Sequence, residues 1–224
     1  MPTEIAKTVL TFNGSPRKNG NTSALLHEFI RGASESGANV EQIIAYDLNL
    51  NYCTGCLKCN LLKRCAIGAD DWQQLSQKIL DADVVVFASP VYFHHVTAQL
   101  KKILDRFRSF MHVQITEQGL KHTPWQVWQK HFVLLLSQGS PNDDDAQPII
   151  DLFTFIVNIL GAENTLTSIV GTRLAVANQV RMSQEELRML YSKLQLPEYL
   201  VEIDFHRNQQ ILKQCYELGK KLTA

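Results

Sequence analysis

The run Thr8-Val-Leu-Thr-Phe-Asn-Gly-Ser-Pro-Arg-Lys-Asn-Gly-Asn-Thr-Ser23 changes character twice. Thr8 to Phe12 is apolar and β-branched and stops at the turn signal Asn13-Gly14-Ser15-Pro16, so it reads as a buried strand. From Thr22, Leu25, Phe29 and Ala33 recur at intervals of four, with Leu26 and Ile30 beside them, until Gly37 stops the segment. A strand, a short loop and a helix of about four turns therefore form the first βα unit.

The alternation continues. Val40 to Ala45 reads as a second strand, a long loop holds four cysteines, and Asp70-Asp71 open a helix that buries Trp72, Leu75 and Ile79. Val84 to Ala88 is the third strand, and a helix from about Thr97 carries Leu100, Leu104 and Phe107. A less periodic stretch with Trp125 and Trp128, read as a lid or an interface, leads to the strand His131 to Leu136. Ile149, Phe153, Ile156 and Leu160 mark a further helix, and Leu166 to Val170 a fifth strand after the Gly161 break. Parallel neighbours need crossover connections, so five βα repeats predict a doubly wound α/β fold, a parallel sheet with helices on both faces.

Beyond Gly171 the alternation weakens. Ser183 and Glu186 form a capping-box start for a short helix that Pro197 ends, and a last helix carries Ile211, Cys215, Leu218 and Leu222. No repeat or composition shift divides the chain, so residues 1–224 read as one domain. Residues 171–224 are expected to be an extension that packs on that domain or on a partner subunit.

Composition narrows the function classes. Lys plus Arg and Asp plus Glu both number 22, so there is no bulk field to hold nucleic acid or an anionic membrane. Met1 to Lys7 lacks a basic-then-apolar leader pattern and no apolar run approaches about 18 residues, which makes a cytoplasmic location the expectation.

In an open α/β sheet, ligands bind beyond the carboxyl ends of the strands. The first such loop, Gly14 to Ser23, combines small residues, two cations and hydroxyls with a helix N-terminus, whose free N–H groups and dipole favour an anion. No Asp or Glu falls between Glu4 and Glu28, so Lys7, Arg17 and Lys18 are unopposed, and a phosphate fits. A nucleotide-triphosphate loop would need Lys-Ser or Lys-Thr after Gly20, and a dinucleotide fingerprint needs a third glycine. A plain helix cap by Asn21 or Thr22 is the alternative. The third strand ends in Ala88-Ser-Pro-Val-Tyr-Phe-His-His95, where two aromatic rings can pack against a flat ligand.

Three segments together resemble the flavodoxin-like NAD(P)H-dependent FMN reductases and the related iron–sulfur flavoproteins: Asn13 to Thr22, Cys53 to Asp71, and Ser89-Pro-Val-Tyr-Phe93 with Gln99-Leu-Lys and Leu104-Asp-Arg106. The resemblance implies a flavodoxin-like sheet of order 2-1-3-4-5 and an FMN-dependent oxidoreductase. Such an enzyme takes electrons from NAD(P)H and passes them to a small-molecule or protein acceptor. It implies Ser15, Arg17, Asn21, Thr22 and Ser23 around the FMN phosphate, Pro90, Val91, Tyr92 and Phe93 along the isoalloxazine, and Ser137, Gly139 and Ser140 on the far side. It also implies a homo-oligomer, for which Trp125 and Trp128 offer aromatic surface. His94 and His95 lie within reach of a substrate, and Asp105 and Arg106 read as a structural ion pair or interface contact. An electron carrier without NAD(P)H turnover is the rival reading.

Cys53, Cys56, Cys59 and Cys65 have the count of thiolates a [4Fe–4S] cluster uses, and the tight C-x-x-C-x-x-C run, turning at Gly55, brings three of them together. The spacing matches the compact motif of the iron–sulfur flavoproteins. Zinc and free thiols are the alternatives. Cys215 lies on an apolar helical stripe and reads as a core thiol.

Overall fold

β1 (Thr8–Asn13) is buried from Val9 onward, as a strand covered on both faces must be. In the computed structural model, which describes residues 6–224, it is followed by α1 (Asn21–Glu35), β2 (Asn39–Ile44), a one-turn α2 (Cys59–Leu62), α3 (Trp72–Asp81), β3 (Val84–Pro90) and α4 (Ala98–Arg106). The leader expectation for Met1 to Lys7 falls mostly outside the described residues. Next come β4 (Met111–Thr116), β5 (Gly119–Pro124), β6 (His131–Ser137), α5 (Gln147–Leu160), β7 (Thr165–Gly171), α6 (Gln184–Lys193) and α7 (Leu200–Thr223).

Five strands form one sheet of order β2-β1-β3-β6-β7. Every pairing is parallel, with Phe12 beside both Ile43 and Phe87. This is the flavodoxin-like order 2-1-3-4-5 in its parallel strands. The chain leaves β1 in one direction to reach β2 and returns on the other side as β3, so a crevice opens at the carboxyl ends of β1 and β3.

Successive side chains alternate between two cores. Leu10, Phe12, Phe87 and Leu134 face Trp72, Leu100 and Phe153 from α3, α4 and α5. Val9, Val86, Val133 and Leu135 face Leu25 and Phe29 of α1 and Ile211 and Cys215 of α7. Each such fully buried side chain contributes roughly 1.5–3 kcal/mol. The second core depends on a close helix crossing. A methyl at Gly32 would lie 2.0 Å from the Tyr216 carbonyl oxygen, and one at Gly219 would lie 2.2 Å from that of Phe29. Neither position has room for a side chain.

Four expectations need correction. The stretch before β6 holds an antiparallel hairpin, β4 with β5, and Trp128 at its end is buried, stacked on Phe132 and edge-on to Phe110. Trp128 is therefore core and offers no interface surface. The hairpin instead exposes Ile115 and Leu120, which its polar alternation concealed. The cysteine loop contains the short α2. The α6 capping box is present, with Ser183 Oγ accepting from Glu186 N and Glu186 Oε2 accepting from Ser183 N. That helix stops at Lys193, where Gln195 turns the chain at φ 55°, ahead of Pro197.

Candidate functional site

The loop after β1 is shaped by its own hydrogen bonds. Asn13 Oδ1 accepts from Ser15 N at 3.0 Å, an Asx turn, and Gly14 N donates to Ala88 O at 2.7 Å, which fixes the loop to β3. Ser15 Oγ accepts from Arg17 N at 3.2 Å, and the Arg17 carbonyl accepts from Gly20 N and Ser23 Oγ. Gly20 N-caps α1 without a side-chain hydrogen bond, and the first turn holds no acid. The leading N–H groups of α1 lack intrahelical partners, so this helix end presents donors and a positive dipole to an anion.

A cavity of about 230 Å³ opens at this helix end. Ser15, Arg17, Asn21 and Thr22 line one side, Pro90, Val91 and Tyr92 a second, and Ser137 and Gly139 a third. Thr22 Oγ1 and Ser137 Oγ meet at 2.6 Å and tie the first side to the third. Three of the expected residues stand off the cavity. Ser23 Oγ accepts from Asn13 Nδ2 inside the loop, and Ser140 Oγ accepts from Asn142 N. Phe93 points into solvent.

The reason for Phe93's position lies in the backbone. Tyr92 and His95 exchange N–H to carbonyl bonds at 2.9 and 3.0 Å, and between them Phe93 and His94 both adopt left-handed φ values of 49° and 58°. Two non-glycine residues in that region store strain, of order 1–3 kcal/mol each, which the surroundings must hold. His94 Nδ1 meets the Asp145 carbonyl at 3.1 Å and anchors the turn to the segment before α5. The turn leaves Tyr92 on the cavity rim, 45% exposed.

Asn21 does more than sequence reasoning assigned to it. Its Nδ2 donates to the carbonyls of Leu174 and Val176 at 3.0 and 2.8 Å, and its Oδ1 accepts from Val180 N at 3.0 Å. Its side chain is thus spent on fixing the loop after β7. Gln138, Leu174 and Ala175 complete the cavity wall. They carry no motif, and only their place beyond the carboxyl ends of β6 and β7 signals them.

The cysteine loop lies elsewhere. Cys53, Cys56, Cys59 and Cys65 line one small cavity of about 20 Å³ together with Arg106 and Arg108. Arg106 is fully buried, and its Nη1 donates to Asp70 Oδ2 at 2.6 Å and to Asn51 O at 2.8 Å, so one guanidinium clamps both ends of the loop. Its partner is Asp70; Asp105 pairs with exposed Lys101. Burial pushes the Asp70 carboxyl up, but Arg106 and the N–H groups of Asn51 and Trp72 more than offset it and hold the pKa below the usual carboxylate value. Arg108 Nη1 reaches Cys59 Sγ at 3.5 Å.

Burial raises the Cys59 thiol, whereas the Lys58 N–H lowers exposed Cys56. Arg106 Nε is a buried donor without a partner among the described residues. Four cysteines and two arginines lining one cavity form a donor set that suits an anionic thiolate-bound group. Among the described residues, however, no three His, Cys, Asp or Glu side chains are already drawn together around a metal-ion position. Cys215 is buried in the second core, and its pKa is pushed up to about 12 by burial.

Comparison with known proteins supplies a lineage. An iron-sulfur flavoprotein from Archaeoglobus fulgidus is 40% identical over 99 residues, 44% of this chain and 44% of the relative. Iron-sulfur flavoprotein MJ1083 from Methanocaldococcus jannaschii is 41% identical over 100 residues, 45% of this chain and 51% of the relative. The chain thus aligns with about half the length of these relatives.

In fold it is similar to an NAD(P)H:quinone oxidoreductase from Methanothermobacter marburgensis, with a TM-score of 0.64 at 16% identity over 97% of this chain and 98% of the other. It is similar also to azoreductase AzrA, with a TM-score of 0.61 at 16% identity over 96% and 99% of the two chains. The profile of the NADPH-dependent FMN reductases matches residues 8–163, from the start of β1 to the turn before β7, and so takes in all three sides of the cavity and the cysteine loop. The chain belongs to the NADPH-dependent FMN reductase family.

Proposed function

We propose that the chain binds one FMN, with its phosphate at the N-terminus of α1 and its ring between Pro90–Tyr92 and Ser137–Gly139, and works as an oxidoreductase that draws electrons from NADPH or NADH. One observation carries this reading: an uncapped, acid-free helix N-terminus opens into the same cavity that Val91 and Tyr92 line. FMN, when bound, would supply the redox chemistry, a two-electron exchange between NADPH or NADH and a small-molecule or protein acceptor. The chain's own contribution is to bind and orient. Ser15, Arg17 and the first N–H groups of α1 hold the phosphate, and the strained turn sets Tyr92 at the rim.

Cys53, Cys56, Cys59 and Cys65 are proposed as the ligands of a [4Fe–4S] cluster, with Arg106 and Arg108 offsetting its negative charge. That all four residues line one cavity supports this, as do the names of the relatives. Residues 171–224 are read as part of the same unit, since α7 packs on α1. A homo-oligomer is proposed through Ile115, Leu120, Val127 and Phe155, which are exposed near the hairpin. Among the described residues no helix is long and apolar enough to cross a membrane.

Anaerobically purified protein tests the reading by its spectrum, its iron and sulfide content, and NADPH or NADH oxidation with added FMN and a quinone. Flavin bands with turnover support it. Flavin and iron without turnover would favour the electron-carrier reading, and iron lost on Cys56→Ala would tie the metal to the loop.

A further inference from the structure

Leu174 and Ala175, on the outer wall of the cavity, belong to a loop of residues 172–180 that is bonded on three sides. Toward the first loop it receives Asn21 on three backbone atoms, and the Ala175 carbonyl accepts from Arg17 Nη1 at 3.3 Å. Toward β6, Leu174 N donates to Gln138 O at 2.8 Å and Arg173 N to Ser140 O at 3.1 Å.

The third side is the C-terminal helical pair. Arg173, at φ 51°, donates from Nε and Nη2 to Asp204 of α7 at 2.5–3.0 Å. Asp204 is fully buried and also accepts from Tyr191 Oη at 2.5 Å and Arg207 Nη1 at 2.8 Å. Buried Gln179 donates to the Arg173 carbonyl and accepts from Val176 N, which stiffens the loop internally.

We infer that Asp204 is a positioning residue for the cofactor: through Arg173 and the 172–180 loop it fixes Arg17 and Asn21, and so sets how well the cavity discriminates FMN from riboflavin without touching either. The inference rests on the FMN reading above. A neutral side chain at position 204 leaves Arg173 and Arg207 facing each other with no charge between them, and the repulsion pushes Arg173 and its loop outward. Both first-loop contacts of the 172–180 segment lie at the phosphate end, so the phosphate end loosens first.

The test measures FMN and riboflavin dissociation constants for wild-type protein, Asp204→Asn, Arg173→Lys, and Ile79→Ala as a control. Ile79 is buried in the core on the other face of the sheet, so its truncation lowers stability without reaching the loop. Arg173→Lys keeps the charge on Asp204, loses the paired geometry, and carries the test if Asp204→Asn does not fold. FMN binding should weaken about tenfold in both network variants, riboflavin binding less, and the FMN preference should be unchanged in Ile79→Ala. An FMN preference that survives in a folded network variant overturns the inference alone. An equal fall in Ile79→Ala also overturns it, by making the effect one of general stability. Wild-type protein that takes up no FMN overturns the reading beneath it as well.

Discussion

The loop after β1 and the cysteine loop both leave a strand at the same sheet edge, yet they are held in different ways. The first is braced throughout by Asn13, Ser15, Ser23 and Thr97, with Thr97 Oγ1 donating to Gly14 O at 2.8 Å. The second is clamped at its ends by Arg106 and Asp70, and its middle, Thr54 to Leu57, is exposed and turns at Gly55 and Leu57 with φ near 60°. The residues of the first loop are explained by their bonds to one another and by the helix end they expose. In the second, Cys59 is buried and Cys65 packs against the core that α3 covers, whereas Cys53 and Cys56 face the small cavity's rim without a packing role. One loop is ordered by its own bonds; the other is held from outside, by the buried Arg106–Asp70 pair at its ends and by Asn60 of α2, which bonds Val113 and Arg108.

The sharpest way to break this contrast is to remove that ion pair. Arg106→Ala leaves Asp70 charged and buried, and should cost about 3–5 kcal/mol of stability by denaturant unfolding. The same variant should lose iron while keeping the ratio of FMN to riboflavin affinity. A loss of FMN preference equal to the loss of iron would mean that the two loops are one unit.

Next in size is a pair of first-loop variants. Arg17→Ala should weaken FMN by roughly 1.5–3 kcal/mol, leave riboflavin unchanged, and barely move the unfolding midpoint. Asn21→Ala should weaken FMN too, but it should also lower stability by about 1–3 kcal/mol, because it strips three bonds from the loop after β7. Identical behaviour of the two variants in calorimetry would contradict the division between Arg17, whose one exposed bond to the Ala175 carbonyl adds little to stability, and Asn21, whose three bonds brace the loop.

The smallest effect is a pH dependence behind the first loop. Burial, with the Asp204 charge beside it, pushes the Tyr191 phenol up to about 12. A raised pKa favours the protonated form in the folded state, so this contribution is complete below about pH 10, the ordinary tyrosine value, and is lost as pH rises toward 12. Tyr191→Phe should flatten that part of the stability profile. At the acid end the sign is reversed for Asp70, whose depressed pKa gives stability that is complete above about pH 4 and is lost as pH falls further.

The parallel sheet was legible because its central strands β1, β3 and β6 are dense apolar runs, and the boundaries of β1, β3, β6 and β7 fall within two residues of those read from pattern. The hairpin was not, because His112, Gln114 and Lys121 break any apolar run and its pairing partner is its own neighbour. Three sides of the cavity were visible as loops after strands. The fourth was hidden, since Asn21 finds its partners more than 150 residues away and a side-chain amide looks the same whether it faces a ligand or a carbonyl. Arg106 illustrates the same limit: its sequence neighbour Asp105 suggests a pair, but on a helix adjacent residues face apart, and the buried partner is Asp70.

Whether the uncapped end of α1 takes the phosphate of FMN, as proposed, is decided by calorimetric titration of flavin-stripped protein with FMN and with riboflavin. One FMN per chain should bind at least about tenfold tighter than riboflavin, a difference of about 1.4 kcal/mol supplied by the phosphate alone. Equal affinity for the two flavins, or no binding of either, would contradict it.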